Sequence, residues 1–460
     1  MRWVVSVLIF MLLFGCTPMK GASPKIKLPQ NYADSASHSS QSSYRWWQSF
    51  GNKELDRLVD EALKNNSDIK AAAEKVLEMA SEFSGSYAAL FPSLYANFNA
   101  LRQRENIKNN MTGSYERFYS NSFHLSLSAS YEIDLWRRLS SSEKAAKAAL
   151  LQSIENRTTI VHAVISDVVD LYLELSSIKK RLEILKKENA ILQKELQLQK
   201  RRYEIGISSL EEFVKAQTAL EDNRMEISDL LRQFYDKKNS LMNILGRYED
   251  IRIDRFFDFR KKAPPVLSDL PSSLLLKRPD IREKLLKAEQ MKFLLKSAHW
   301  ARFPQIKLTG SYGNQSDELK NLLKPETLLW QIASGITAPI FDAGKLRSVE
   351  KASLHRYNQA VIDYAKTVLG AFREVQEGLR NNKILLDKRR YAEALLKDSK
   401  LQADIAYNRY RTGLEGLTNL YNAQLNYLKA RDLLNQTLLA FYLNRVTLHK
   451  ALGGKWLDKR

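Results

Sequence analysis

One cysteine, Cys16, stands in a chain of 460 residues, so no disulfide can close within a single copy and an exported form must rely on packing. Proline and glycine are scarce, at 11 and 17 residues, which excludes a linker-rich or low-complexity chain and fits long regular elements. No proline occurs from Ser93 to Ala263. Long apolar runs are missing as well: beyond the first residues no stretch approaches the roughly 18 uninterrupted apolar residues of a membrane helix. Any bilayer crossing downstream has to use β-strands.

Catalytic signatures are lacking too. The six histidines, His38, His124, His162, His299, His355 and His449, show no H-E-x-x-H or other metal-ligand spacing. Gly344-Lys345 lacks both the earlier Gly and the following Ser or Thr of a phosphate-binding loop. Acidic pairs such as Glu211-Glu212 are ordinary in charged helices. The sequence therefore points to no enzyme, no metal and no cofactor.

Charge is abundant, with 72 Lys and Arg against 52 Asp and Glu, a formal net charge of +20. The bases are dispersed among acids along helical stretches, which reads as a solvated surface. A nucleic-acid-binding or structural coiled coil would also suit basic charge and long helices. The N-terminus and the alternating strands described below count against it, and no nucleic-acid partner is inferred.

The N-terminus opens with Arg2, then the mostly apolar run Trp3 to Phe14, then Gly15-Cys16. A charged start and a short apolar core read as a secretory signal, residues 1–15, too short to span a bilayer. Leu13-Phe14-Gly15-Cys16 resembles the lipobox of bacterial lipoproteins, in which the cysteine is acylated after cleavage, although Phe14 is bulkier than the usual residue there. The alternative is a plain signal followed by an incidental cysteine.

The chain repeats itself. Arg202-Tyr203-x-x-Gly206 recurs 207 residues later as Arg409-Tyr410-x-x-Gly413. At that same offset Leu210 meets Leu417, Ala216-Gln217 meets Ala423-Gln424, and Leu245-Gly246 meets Leu452-Gly453. Upstream, Phe91-Pro92 echoes Phe303-Pro304, and residues 63–69 echo 275–281. The halves, 54–260 and 272–454, share one plan around a linker at 261–271, with an extended segment at 16–53 and a tail at 455–460.

Each half reads as a helix, a strand pair and two long helices. Val161, Val164, Val168, Tyr172, Leu175, Ile178, Leu182, Leu185, Asn189, Leu192 and Leu196 recur by threes and fours, the stripe of an amphipathic or coiled-coil helix. A helix over 141–205 would be roughly 100 Å long at about 1.5 Å per residue. Its counterpart spans 345–412, where Gly370 and Gly378 mark a bend or close packing. Further helices are expected at 208–246 and 414–452.

The strand pairs fall at 91–104/118–133 and 304–315/328–341, where apolar and polar residues alternate. Tyr95, Tyr119, Tyr312 and Trp330 fit membrane interfaces, and the polar stretches from Gln103 to Ser114 and from Asn314 to Pro325 read as exposed loops. A periplasmic sheet packed on helices fits the alternation equally well. Should the strands span, four cannot close a barrel, so the chain must oligomerise.

Several motifs together resemble the outer-membrane efflux proteins, the TolC-like family, and within it the OprM-like lipoprotein branch. They are Trp46-Trp47 with Phe50, Tyr131-Glu132-Ile133-Asp134-Leu135-Trp136, Arg278-Pro279-Asp280-Ile281, Pro339-Ile340-Phe341-Asp342-Ala343-Gly344, and the two Arg-Tyr-x-x-Gly turns. The resemblance covers the chain from about Tyr44 to Leu452. It implies an α+β membrane protein: a homotrimer whose twelve strands, four per protomer, form a transmembrane β-barrel continued by a long periplasmic α-helical barrel. A girdle would draw on the segment after Cys16, roughly Ile251 to Pro271, and the C-terminal tail.

The implied role is passive: the exit duct of a tripartite efflux pump for small toxic compounds. Its partners would be a periplasmic adaptor, an inner-membrane pump of the resistance-nodulation-division type and outer-membrane lipid. Export of metal ions or of proteins stays open as cargo. The adaptor would dock at Arg202, Tyr203 and Gly206 and at Arg409, Tyr410 and Gly413. Related channels often carry acidic rings just before the Ala-Gln pair of the second half. Here that position is Asn422, one turn after Thr418, and its first-half equivalent is Lys215, near Glu211. These four are either a gate or ordinary helix-surface residues.

The anchor is directly testable: Cys16→Ala is expected to abolish incorporation of radiolabelled fatty acid into the protein. Continued labelling of that variant would place the acylation elsewhere.

Overall fold

The computed structural model describes residues 45–108, 113, 115–260 and 272–453. The signal, Cys16 and the extended segment up to residue 44, the whole linker 261–271 and the C-terminal tail lie outside the described residues.

Short 3-10 turns at Trp46–Phe50 and Ser272–Lys277 precede the helices of the two halves. The first half then runs α1 (Lys53–Asn65), α2 (Ser67–Ala88), β1 (Ser93–Lys108), β2 (Tyr115–Ile133), α3 (Arg138–Glu204) and α4 (Leu210–Ile244). The second runs α5 (Pro279–Trp300), β3 (Gln305–Ser316), β4 (Leu328–Thr337), α6 (Lys345–Arg411) and α7 (Leu417–Ala451). Both α3 and α6 have 67 residues, and both α4 and α7 have 35. Helix α6 continues through Gly370 and Gly378, and at Gly378 the reason is close packing: a Cβ there would come within 2.6 Å of Leu448 Cδ2.

Two compact units divide the described chain. The first comprises Lys75–Ile154 and Glu283–Ala365 and holds the four-stranded antiparallel sheet, in the order β1-β2-β3-β4. Register assigns every strand residue to a face. On one face lie Leu94, Ala96, Phe98 and Ala100 of β1, opposite Ala129, Leu127, Leu125 and Phe123 of β2. Ile306, Leu308 and Tyr312 continue it on β3, opposite Ile336, Ser334 and Trp330, with Ile332 opposite Gly310. The other face is polar, with Asn97, Asn99, Ser126, Ser128, Ser130, Lys307, Thr309 and Gln331.

Tyr95 belongs to that polar face, opposite Ser128, and so does not sit with Tyr312 and Trp330 as an interfacial aromatic. The stretch from Gln103 to Lys108, expected to be loop, is strand: the ladder runs on to Lys108 opposite Tyr115. Its polar residues end the hydropathy pattern without ending the hydrogen bonding. Similarly β3 extends to Ser316, and the segment before Pro325 includes a 3-10 turn at Leu319–Asn321. Strand β4 stops at Thr337, short of 341, because Pro339 has no N–H to offer a ladder.

Where strand passes to long helix, an aspartate caps the helix. Asp134 accepts from Leu139 N at 2.9 Å and from Ser140 N at 2.7 Å, and Ser140 Oγ donates to it at 2.6 Å. In the second half Asp342 accepts from Gly344 N at 2.9 Å and Leu346 N at 2.8 Å. Burial pushes the Asp134 carboxyl up, but the bonds from Ser140 and Leu139 and the nearby Arg138 outweigh it and leave it below the usual carboxylate range.

The second unit comprises 45–74, Glu155–Arg282 and 366–453. Its core joins Trp46, Trp47 and Phe50 to Leu55, Leu58 and Val59 of α1, Val168, Tyr172 and Leu173 of α3, and Phe441 and Tyr442 of α7. The irregular segment after α4 is bound to α3: Tyr172 donates to Arg255 O at 2.6 Å, and Phe257 N donates to Ser176 Oγ at 2.9 Å. Asn52 caps α1, accepting from Glu54 N at 2.9 Å and Leu55 N at 3.2 Å.

Asp134→Ala is expected to cost about 1–2 kcal/mol, the usual worth of a helix cap, read as a lower midpoint of thermal unfolding by circular dichroism in detergent. The native cap is present above the ordinary aspartate pKa and lost as pH falls through the depressed folded value, so the difference between wild type and variant should vanish in strong acid.

Candidate functional site

Both Arg-Tyr-x-x-Gly sequences end a long helix in the same way. At the end of α3, Gly206 N donates to Tyr203 O at 3.0 Å and Ile207 N to Arg202 O at 2.8 Å, with Gly206 at φ 76°. At the end of α6, Gly413 N donates to Tyr410 O at 3.1 Å and Leu414 N to Arg409 O at 2.9 Å, with Gly413 at φ 75°. This is the Schellman pattern, in which a left-handed residue turns the chain and its amides satisfy the last helical carbonyls. Glycine adopts that conformation without the penalty a Cβ imposes.

Side chains finish the turns differently. In the first, the Tyr203 and Phe213 rings stack with centroids 6.0 Å apart, and Ser209 Oγ accepts from Glu212 N at 3.2 Å to start α4. Ser208 is hydrogen-bonded to the Glu212 carboxylate, which lies below its usual range chiefly through that bond. In the second, α7 starts at Gly416 without a side-chain cap, and Arg409 Nη1 binds Glu415 at 2.8 Å. Apolar side chains are exposed at both turns: Ile205, Ile207 and Leu210 at one, Leu414 at the other.

The four gate candidates separate into distinct environments. Glu211 and Lys215 form an ion pair at 2.5 Å, one helical turn apart, with both side chains more than 70% exposed. Thr418 is half-buried and accepts a hydrogen bond from Gln199 Nε2 of α3 at 3.3 Å. Asn422 is exposed, and among the described residues no hydrogen bond or ion pair joins it to the other three.

Sequence reasoning missed Gln199. It is buried, and its Oε1 lies 3.1 Å from the Ser208 hydroxyl, so one amide links the first turn to the start of α7. Arg181 was missed as well; it binds Glu226 of α4 at 2.6 Å and Asp432 of α7 at 3.1 Å. Asn189 did carry a signal, as the polar member of an apolar stripe, and it meets buried Asn223 of α4 at 2.8 Å. From the other side, Asn435 of α7 donates to Ser177 Oγ of α3 at 2.8 Å. Polar pairs inside an apolar seam fix which residues face each other.

The family model for outer membrane efflux proteins matches this chain twice, over residues 58–247 and 270–454. The chain belongs to that family. The resemblance read from its motifs is thereby borne out. Over 418 residues, 90% of this chain and 88% of its relative, this efflux protein is 28% identical to the pyoverdine export outer membrane protein OpmQ of Pseudomonas putida. A second relative, the probable outer membrane lipoprotein SilC of Salmonella typhimurium, is 24% identical over 463 residues, covering 99% of each chain. Among solved structures, the Campylobacter jejuni CmeC outer membrane channel superposes with a TM-score of 0.86 at 25% identity, over 96% of each chain.

One partly buried acid stands out in the helical unit of this efflux protein. Asp170 of α3 is pushed up to about 7, first by burial and then by Glu174 and Asp167, with Lys450 and Lys237 offsetting part of the shift. Its Oδ1 is buried without a hydrogen-bond partner. The unfolded chain releases this proton near pH 4. Between about pH 4 and 7 the folded state therefore binds more protons, and stability falls as pH rises through that window. Asp170→Asn is expected to stabilise the protein by about 2 kcal/mol or more at pH 8 and to flatten this dependence, measured by thermal unfolding at a series of pH values.

Proposed function

We propose that this chain is the outer-membrane exit duct of a tripartite efflux pump, a homotrimer that passively conducts small toxic compounds. The observation that carries the reading is the sheet. Its apolar face is open to the surroundings, with Leu94, Trp330, Ile332 and Ile336 between 69% and 73% exposed, and among the described residues neither edge strand has a second partner. An apolar face of this extent needs a covering of lipid or protein. From Ile133 to Phe123 it extends about 34 Å along the strand, or about 26 Å in height at a tilt near 40°, close to the apolar band of an outer-membrane barrel.

Unpaired edges in hydrocarbon leave backbone groups unsatisfied, so the edges must pair with those of other copies. Three copies give twelve strands with the polar face inward, lining an aqueous path. The long helices, each roughly 100 Å by rise per residue, carry that path into the periplasm. Their turns at Arg202–Gly206 and Arg409–Gly413 then present Ile205, Ile207 and Leu414 to a periplasmic adaptor, and an inner-membrane pump, of the resistance-nodulation-division type, supplies the energy. Glu211, Lys215, Thr418 and Asn422 lie just beyond these turns and form the gate region. Acylation of Cys16 anchors the chain in the membrane, as the lipoprotein name of the Salmonella relative supports.

Planar-bilayer conductance of the purified protein, alongside its mass in detergent, tests the proposal. A trimer with small discrete steps is expected, with larger steps for Asn422 or Lys215 variants. Charge reversal at Arg202 and Arg409 should abolish export from cells while leaving trimers in the membrane. A monomer that never inserts would overturn the duct.

A further inference from the structure

The apolar face of the sheet changes character beyond Ala100 and Phe123. The next positions on the same face are 102, 104 and 106 of β1 and 121, 119 and 117 of β2, paired Arg102↔Asn121, Arg104↔Tyr119 and Asn106↔Arg117. They hold three arginines, two asparagines, one tyrosine and no acid. Glu105 alternates to the opposite face, where it accepts from Gln103 Nε2 at 3.0 Å.

Register brings the three arginines together. Arg102 and Arg104 are two residues apart on one strand, about 7 Å, and Arg117 is the diagonal neighbour of Arg104, again about 7 Å across the ladder. All three side chains are exposed, and none forms an ion pair among the described residues. Like charges this close repel unless an anion lies between them. Strand β2 pairs with β3 only as far as Phe123↔Ser316, so this part of the β1–β2 hairpin projects past the rest of the sheet.

The position is as informative as the charge. Strands β2 and β4 lead into α3 and α6 at their far ends, so the β1–β2 hairpin end is the one away from the long helices. If the apolar face meets membrane lipid, as the proposed function requires, the arginines begin about 7 Å beyond its outer limit along the strand and face outward. That is the level of the outer-leaflet headgroups. Arginine is suited to phosphate through its planar fork of donors.

We propose that Arg102, Arg104 and Arg117 form a binding site for the phosphates of an outer-leaflet phosphoglycolipid, with the Tyr119 ring against its sugar. The site grips the surrounding membrane and has no part in the aqueous path. Each arginine at a charged lipid surface contributes roughly fivefold in affinity, so the three together contribute about a hundredfold.

The test uses the full-length protein in nanodiscs, titrated with bisphosphorylated lipid A and followed by native mass spectrometry. Wild type should retain bisphosphorylated lipid A, and Arg102→Gln/Arg104→Gln/Arg117→Gln should bind it about a hundredfold more weakly while inserting and conducting as before. Dephosphorylated lipid A should bind wild type no better than the variant does, and millimolar inorganic phosphate should not displace the lipid. Equal binding by variant and wild type, equal binding of dephosphorylated lipid, or displacement by free phosphate would overturn the site. A protein that inserts and conducts but retains no lipid A sinks this inference alone, whereas one that never inserts sinks the duct with it.

Discussion

Hydrocarbon cannot hydrogen-bond a peptide group, and the proposed duct depends on that constraint. A four-stranded sheet with one apolar face has two ladders' worth of unsatisfied donors and acceptors at its edges. Water would satisfy them; lipid does not. In the proposed duct, an apolar face placed in a membrane would commit the chain to sharing its edges with copies of itself, and an oligomer would be a requirement of the backbone.

The helical part obeys a different logic. Helices α3 and α6 satisfy their own backbones internally, so their problem is to choose neighbours along a seam that is chemically repetitive. Polar pairs make that choice, the Asn435–Ser177 pair buried and the others less so: Asn189 with Asn223, Asn435 with Ser177, and Arg181 between Glu226 and Asp432. A one-turn slip would separate each pair and, where the pair is buried as at Asn435 and Ser177, leave polar atoms buried alone, which costs more than the loss of a bond exposed to water. Asp170, like Asp432 and Glu195, is an acid that keeps one buried oxygen without a hydrogen-bond partner.

Local signals were legible and distant ones were not. The Arg-Tyr-x-x-Gly turns could be read because a Schellman motif is completed within six residues. Strand alternation revealed the apolar face but misjudged how far the strands run. Around Arg102 to Asn106 both faces are polar, so hydropathy periodicity fades while the ladder continues to Lys108. Tyr95 was misplaced because an aromatic near a strand end looks interfacial until parity assigns its face. Gln199 was invisible: its bond to Glu195 is an ordinary one-turn contact, while Ser208 and Thr418 are 9 and 219 residues away.

The two turns that end α3 and α6 are held chiefly by main-chain atoms, with glycine as the one residue type their geometry demands. Their side chains differ freely: a stacked aromatic pair and a serine cap in one, an arginine–glutamate pair in the other. Scaffold and surface are thus decoupled at these points. Substitution can re-letter the exposed face of a turn without unmaking its shape, which leaves room for one frame to be fitted, over generations, to new companions.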